Sequence, residues 1–67
     1  MKTKYDHVWF QKQDDRNYEV YDNNSLKRGS VLWSIGHQDW AFETVIGRAV
    51  PLFILADIQH FMEQLTK

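Results

Sequence analysis

GSVLWSIGHQDWAFETVIGRAVPLFILADIQHFMEQL, the stretch Gly29–Leu65, decides the fold of this chain. Val31 and Trp33 alternate with their neighbours, and this period of two is typical of a strand with one buried face. After Pro51 the apolar residues recur at spacings of three and four, which is typical of one face of a helix. The stretch therefore predicts two strands and one helix, over residues 30–35, 40–45 and about 51–66.

Two further runs of β-favouring residues precede this stretch, at about 4–11 and 17–22. The wholly polar segment 12–16 between them indicates a hairpin loop. The chain is therefore predicted to be a single α+β domain over residues 1–67. Its predicted architecture is an antiparallel β-meander of three to four strands, with one C-terminal amphipathic helix packed on one face.

The apolar stripe of the helix is predicted to cover one face of the sheet. The stripe consists of Leu52, Leu55, Ile58, Phe61, Met62 and Leu65. The covered face is predicted to carry Val31, Trp33, Ile35, Trp40 and Phe42. Trp33 and Trp40 flank a short turn, so we expect a cross-strand pair that contributes about 0.5–1.5 kcal/mol beyond burial.

Length and composition limit the class of protein. A single domain of 67 residues buries only about 60% of the surface that its unfolded chain exposes, so its aromatic content of 15% is needed to build a core. The absence of cysteine excludes thiol catalysis and cysteine-ligated zinc. Eight Lys and Arg stand against nine Asp and Glu, a balance that argues against nucleic-acid binding by bulk charge.

No arrangement of side chains in the sequence indicates catalysis, a metal or a cofactor. His37 and Asp39 lie two apart in a predicted turn without a third ligand at a motif spacing. Asp14 and Asp15 are neighbours in a polar loop, and no serine has the sequence context of a nucleophile elbow. We therefore expect a protein that is not an enzyme, with no catalytic, metal or cofactor-binding residues.

The longest apolar run, 49–56, is interrupted by Pro51 and is too short to span a bilayer. The N-terminus has no apolar run of signal-peptide length. We therefore expect a cytoplasmic protein without membrane association.

One face of the sheet is a candidate interface. If Val8 and Phe10 point to the helix, Trp9 must point to the other face, where Tyr21 and Leu32 join it. Trp and Tyr are typical anchors of protein interfaces, so an uncovered face of this kind predicts an interaction surface. The opposite register of the first strand, with Trp9 in the core and Phe10 outside, is the alternative. The rim of the patch is predicted to be His7, Glu19 and Glu43.

A second candidate surface lies at the start of the helix. Phe53 falls off the predicted apolar stripe, and it follows the loop 46–49, which contains Arg48. We expect Arg48 and Phe53 to form an exposed corner there.

Three motifs in the second half of the chain support a family resemblance. They are Gly29-x-Val31-x-Trp33, Trp40-x-Phe42 and Leu55-x-Asp57-Ile58-x-x-Phe61-Met62-x-x-Leu65. This pattern resembles short uncharacterised phage and prophage accessory proteins, although Pro51 stands where a helix-capping serine is common in that group. The resemblance implies a small interaction module in the host cytoplasm that binds and modulates a host protein. Inhibition of a host defence system, of the anti-CRISPR kind, or of a regulatory system is the activity it suggests.

Two other functions are compatible with the sequence. The same patch can pair with its own copy in a homodimer, which makes the protein a homo-oligomeric accessory module. Alternatively, exposed aromatic side chains can stack on bases in a weak single-stranded nucleic-acid binder. The residues available for phosphate contacts are Lys2, Lys4, Lys12, Lys27 and Arg28.

Overall fold

Four strands and one helix make up the part of the chain that the structure, a computed structural model, describes, which is residues 1–66. The elements are β1 (Val8–Asp14), β2 (Asn17–Asp22), β3 (Lys27–Ser34), β4 (Asp39–Thr44) and α1 (Leu52–Leu65). The strands form one antiparallel sheet in the order β1-β2-β3-β4, and α1 packs on one of its faces. The α+β meander predicted from the alternating and helical periods is therefore confirmed.

A single layer of side chains between α1 and the sheet forms the core. Phe61 is fully buried, and its ring stacks on Phe10 with centroids 3.8 Å apart and planes 7° apart. The Tyr18 ring meets Phe61 edge-on at 5.0 Å. The buried apolar residues are Val8, Phe10, Tyr18, Val20, Val31, Ile54, Ile58 and Phe61.

The first strand lies later in the chain than predicted, at Val8–Asp14 instead of about 4–11, so the predicted hairpin loop 12–16 is reduced to residues 15–16. The Tyr5 N–H donates to the Val8 carbonyl at 2.8 Å and closes a turn, so β1 begins at Val8 rather than at Lys4. Residues before this turn run back along the strand. The Phe10 N–H donates to the Thr3 carbonyl at 2.8 Å, and Lys4 forms an isolated bridge with Trp9.

Both strands of the hairpin between β3 and β4 differ from the predicted bounds: β3 spans Lys27–Ser34 instead of 30–35, and β4 spans Asp39–Thr44 instead of 40–45. β3 ends at Ser34, and Ile35 lies in the turn with 78% of its surface exposed, so it does not share a core face with Val31. Gln38 in this turn has a left-handed φ of 53°. The predicted Trp33–Trp40 pair is confirmed, with the rings edge-on at 5.8 Å.

The buried face of α1 is rotated from the predicted stripe. Ile54, Ile58 and Phe61 are buried, whereas Leu52 is 81% exposed. Pro51 caps the helix with extended backbone, and its carbonyl accepts the N–H groups of Ile54 and Leu55. A stripe that begins at Leu52 and one that begins at Ile54 both satisfy spacings of three and four. Packing against the sheet selects the second.

A buried carboxylate closes the turn between β2 and β3. The Asp22 carboxylate accepts the backbone N–H groups of Leu26 at 3.0 Å and Asn24 at 2.9 Å, and it pairs with the Arg28 Nε at 3.0 Å. The Leu26 bond, supported by Asn24 and Arg28, holds the pKa of Asp22 below its ordinary value of 3.8, although burial opposes the shift. The turn is therefore stabilised by the ionised form of Asp22.

This carboxylate predicts a loss of stability in acid. Because the pKa of Asp22 is lower in the folded than in the unfolded protein, its contribution is present above pH 3.8 and disappears as the pH falls through the folded pKa. We expect Asp22→Asn to be less stable than the parent at pH 7, and the difference to shrink below pH 3.8. Urea unfolding between pH 7 and pH 2.5 measures it.

Asp15→Asn is the matched control for this experiment, because the Asp15 side chain is 96% exposed and pairs only with Lys12. Its unfolding curve is expected to follow the parent at every pH. A deficit of Asp22→Asn that stays constant from pH 7 to pH 2.5 contradicts the proposed role of the carboxylate.

Candidate interaction surfaces

The sheet face that points away from α1 carries apolar side chains at two separate places. Because Val8 and Phe10 are buried against the helix, the residue between them, Trp9, lies on the opposite face. Of the two registers considered for β1, the structure therefore has the one that exposes this side of the strand. Trp9 pairs with Tyr21 across β1 and β2, and Leu32 lies on the same face of β3.

Trp9 and Tyr21 form one of the two apolar places on this open face. Their rings stack with centroids 4.7 Å apart and planes 20° apart, and both side chains are half-buried. The Tyr21 O–H donates to the Glu19 carboxylate, which raises the pKa of Tyr21 and lowers the pKa of Glu19. The Lys27 Nζ lies 3.5 Å from the Glu19 Oε1. In the free protein, the aromatic pair is therefore ordered by its own stacking and by the contacts of Glu19 with Tyr21 and Lys27.

The open face continues toward β4. Leu32 pairs with Ala41, and both are half-buried, while Ser30 pairs with the exposed Glu43. No helix of residues 1–66 packs on this side of the sheet, since α1 covers the other face. The open face therefore carries two small apolar patches, Trp9 with Tyr21 and Leu32 with Ala41. A row of paired polar residues separates them: Gln11, Glu19, Ser30 and Glu43.

His7 does not lie on the rim of this face, contrary to the sequence-based prediction. Its Nδ1 is 3.3 Å from the Asp57 carboxylate of α1, and its ring centroid is 4.6 Å from that of Phe53. Because β1 begins only at Val8 and the chain turns just before it, the strand alternation with Trp9 does not extend back to His7.

The second predicted surface, at the start of α1, therefore includes His7, which was expected on the open face. Phe53 is 54% exposed and packs on His7. Arg48 is exposed in the loop before the helix, where its backbone N–H donates to the Val45 carbonyl. Within residues 1–66 the Arg48 side chain forms no ion pair.

A groove between α1 and β4 was not predicted from the sequence. It has a volume of about 340 Å³ and an apolar floor with a polar rim. Its sequence signal is the width of the helix stripe: Leu55 and Met62 were predicted to lie in the core, yet Leu55 is 40% exposed. The lining residues are Asp39, Trp40, Phe42, Leu55, Ile58, Gln59, Met62, Glu63 and Thr66.

A polar cluster joins the N-terminal residues to α1. The Tyr5 hydroxyl lies 2.7 Å from the His60 Nδ1 and accepts a bond from the Gln64 side chain at 2.9 Å. Burial, together with the charge of Asp57, raises the pKa of Tyr5. In the described part of the chain, no three His, Asp or Glu side chains come together as a metal site. These bonds connect the N-terminal residues to the C-terminal helix α1.

Comparison with protein family models, with curated proteins and with solved structures found no match for this chain. Among residues 1–66, α1 falls short of the length and apolar character that crossing a bilayer requires. The functional interpretation therefore depends on the surfaces themselves.

Proposed function

We propose that this chain is a protein-interaction module that binds another protein through its open sheet face. The observation behind the proposal is the stacked Trp9–Tyr21 pair on a face that no helix or strand of residues 1–66 covers. The solvated face of an antiparallel sheet is ordinarily polar, so two large aromatic rings there need a reason. Trp and Tyr dominate the binding energy of protein interfaces, and rings that are already ordered lose little entropy on binding.

The charges on the molecule favour a protein partner over a nucleic acid. Three of the basic residues available for phosphates are already paired with carboxylates within the chain: Lys12 with Asp15, Lys27 with Glu19, and Arg28 with Asp22. Glu19 also lies directly beside the aromatic pair. A phosphate backbone that approaches Trp9 and Tyr21 meets this negative charge, whereas an apolar protein patch with a basic margin is complementary to it.

The resemblance to phage accessory proteins is what points to a host protein as the partner. In this proposal the module occupies a surface that the host protein needs, and it thereby inhibits a defence or regulatory system of the host. Small size and an ordered aromatic patch suit such a role, because inhibition by occlusion requires binding and no chemistry on the part of the inhibitor.

Substitution of the aromatic pair is expected to remove partner binding without unfolding the protein. We expect Trp9→Ala to weaken the complex by about 2 kcal/mol or more, roughly thirtyfold in Kd, because a central stacked aromatic is lost. The partner is captured from host lysate, purified, and titrated with parent and variant by calorimetry. Circular dichroism verifies that the variant is folded.

Phe53→Ala is the matched control, since it removes an exposed aromatic from a different surface. Equal binding by parent and Trp9→Ala argues against the open face as the site. Sedimentation shows whether the open face binds a second copy instead: a dimer that Trp9→Ala converts to a monomer replaces the proposal with the homo-oligomeric function. Salt-sensitive binding of single-stranded oligonucleotides that requires Trp9 replaces it with the nucleic-acid function.

A further inference from the structure

Among residues 1–66, no strand pairs with the outer edge of β4. The Trp33 N–H donates to the Arg16 carbonyl at 2.9 Å, on the β2 side of β3. In an antiparallel ladder, a residue that bonds to one neighbouring strand does not bond to the other. Trp40, the partner of Trp33, therefore directs its N–H and C=O away from β3. Phe42 and Thr44 follow the same alternation.

The outer edge of β4 opens directly beside the groove between α1 and β4. Trp40 and Phe42 direct their backbone groups to the edge and their side chains to the groove. An extended chain that pairs with β4 therefore places every second side chain against the same apolar floor, next to Leu55 and Met62 of α1. Main-chain bonds and side-chain pockets lie side by side, which is the arrangement that binding by strand addition requires.

One backbone donor on this edge is already occupied by a side chain. The Trp40 N–H donates to the Asp39 Oδ1 at 2.8 Å. A carbonyl of an incoming strand can replace this oxygen and release the carboxylate to pair with a cation. Asp39 therefore protects the edge in the free protein and offers a negative charge in the bound one.

Charge defines the chemistry of the occupant. Asp39 and Glu63, both acidic, are the charged residues among the described lining of the groove. Glu43 is exposed on the open-face side of β4, and in an added strand the residues opposite Asp39 and Glu43 project to that same side. The apolar floor of the groove favours large apolar side chains on that side of the added strand. On the other side of the added strand, Asp39 and Glu43 favour Lys or Arg.

We propose that β4 and α1 together bind an extended segment of a partner protein, in which large apolar residues alternate with Lys or Arg, as a fifth strand of the sheet. This site is separate from the open-face site around Trp9, so each can fail without the other. A second copy of this chain is a poorer occupant, because its β4, DWAFET, carries two acidic residues and no basic one. When two β4 strands pair about Ala41, each Asp39 lies opposite a Glu43 of the other copy, and like charges at paired positions destabilise a sheet.

The test uses four synthetic peptides with blocked ends, titrated into the isotopically labelled protein by NMR. The first is KVKIKVK, in which Lys alternates with Val and Ile. The second has the same composition in blocks, KKKKVIV, and the third replaces each Lys by Glu. The fourth is the first peptide with its alternate amides methylated, which removes the donors that strand addition needs. We expect the first peptide alone to bind, with shifts confined to β4 and the groove side of α1.

Four protein variants locate the site: two are expected to weaken binding and two are controls. Glu43→Lys is expected to weaken binding of the alternating peptide about tenfold, because it turns an attraction into a repulsion. Leu55→Gln is expected to weaken it by a similar factor, whereas Leu52→Gln, on the same helix but outside the groove, leaves it unchanged. Trp9→Ala is also expected to leave it unchanged, which separates this site from the open-face site.

Several outcomes overturn the inference. Equal binding of the alternating and block peptides, or of the methylated peptide, excludes strand addition. Chemical-shift changes centred on Trp9 and Tyr21 would show that the peptide binds to the open face instead. Dimerisation through β4, seen by sedimentation together with failure of the peptide to bind, assigns the edge to a second copy.

Discussion

Phe61→Ala is expected to remove most of the stability of this protein. Phe61 is fully buried and stacks on Phe10, so truncation leaves a cavity in the centre of the only apolar layer between α1 and the sheet. Such truncations cost about 3–5 kcal/mol. The total stability of a chain of 67 residues is roughly 3–10 kcal/mol. We therefore expect a protein that is largely unfolded, or close to it, by urea titration at 25 °C.

Two further variants test whether burial is the cause. Phe61→Leu retains much of the apolar volume but loses the stacked ring, so a smaller loss of about 1–2 kcal/mol is expected. Phe53→Ala removes the same side chain from an exposed position of the same helix, and we expect a change of about 0.5 kcal/mol. Similar losses in Phe61→Ala and Phe53→Ala are incompatible with a core centred on Phe61.

Gly29→Ala is expected to have the second largest effect. Gly29 is buried in β3 with a φ of 155°, and the ring of Phe42 covers it. A Cβ added there collides with the Glu43 carbonyl oxygen and lies 2.8 Å from the Phe42 ring. Backbone strain and overpacking together predict a loss of about 2–4 kcal/mol, measured as a lower urea midpoint.

Gly36→Ala is the control for Gly29. No atom lies within 4 Å of a Cβ added at Gly36, and its φ is not in the left-handed region. The same substitution is expected to change stability by less than about 0.5 kcal/mol there. In Gly29→Ala the displaced Phe42 ring also disturbs the floor of the groove, so weaker binding of the alternating peptide should accompany the lower stability. A variant as stable as the parent contradicts the close approach of β3 and β4.

The fold could be predicted because its signals are local. Alternation in Val8 and Phe10, and again in Val31 and Trp33, marks which strand residues share a face. That alternation is also sufficient to place Trp9, Tyr21 and Leu32 on the same face, although Leu32 lies at the other end of β2 from Tyr21. The connection between consecutive strands is short, so the meander needs no long-range information.

The position of His7, the buried face of the helix and the groove could not be predicted, because they depend on contacts between residues distant in sequence. His7 turns to Phe53 because the strand begins at Val8, after His7 and not before it, and a strand boundary is set by backbone bonds rather than by composition. The helix rotates from a stripe at Leu52 to one at Ile54 because packing against the sheet decides between two equally periodic faces. The groove follows from that rotation, since it leaves Leu55 outside the core.

The two edges of the sheet are unequal, and this limits the assemblies that the molecule can enter. Thr3 and Lys4 cover the first half of the outer edge of β1, while its second half is interrupted between Lys12 and Asp14 and carries their charges. Among residues 1–66, no segment pairs with the outer edge of β4. Strand pairing through β4 alone uses up that edge at the first addition, so it yields a finite complex and not a filament.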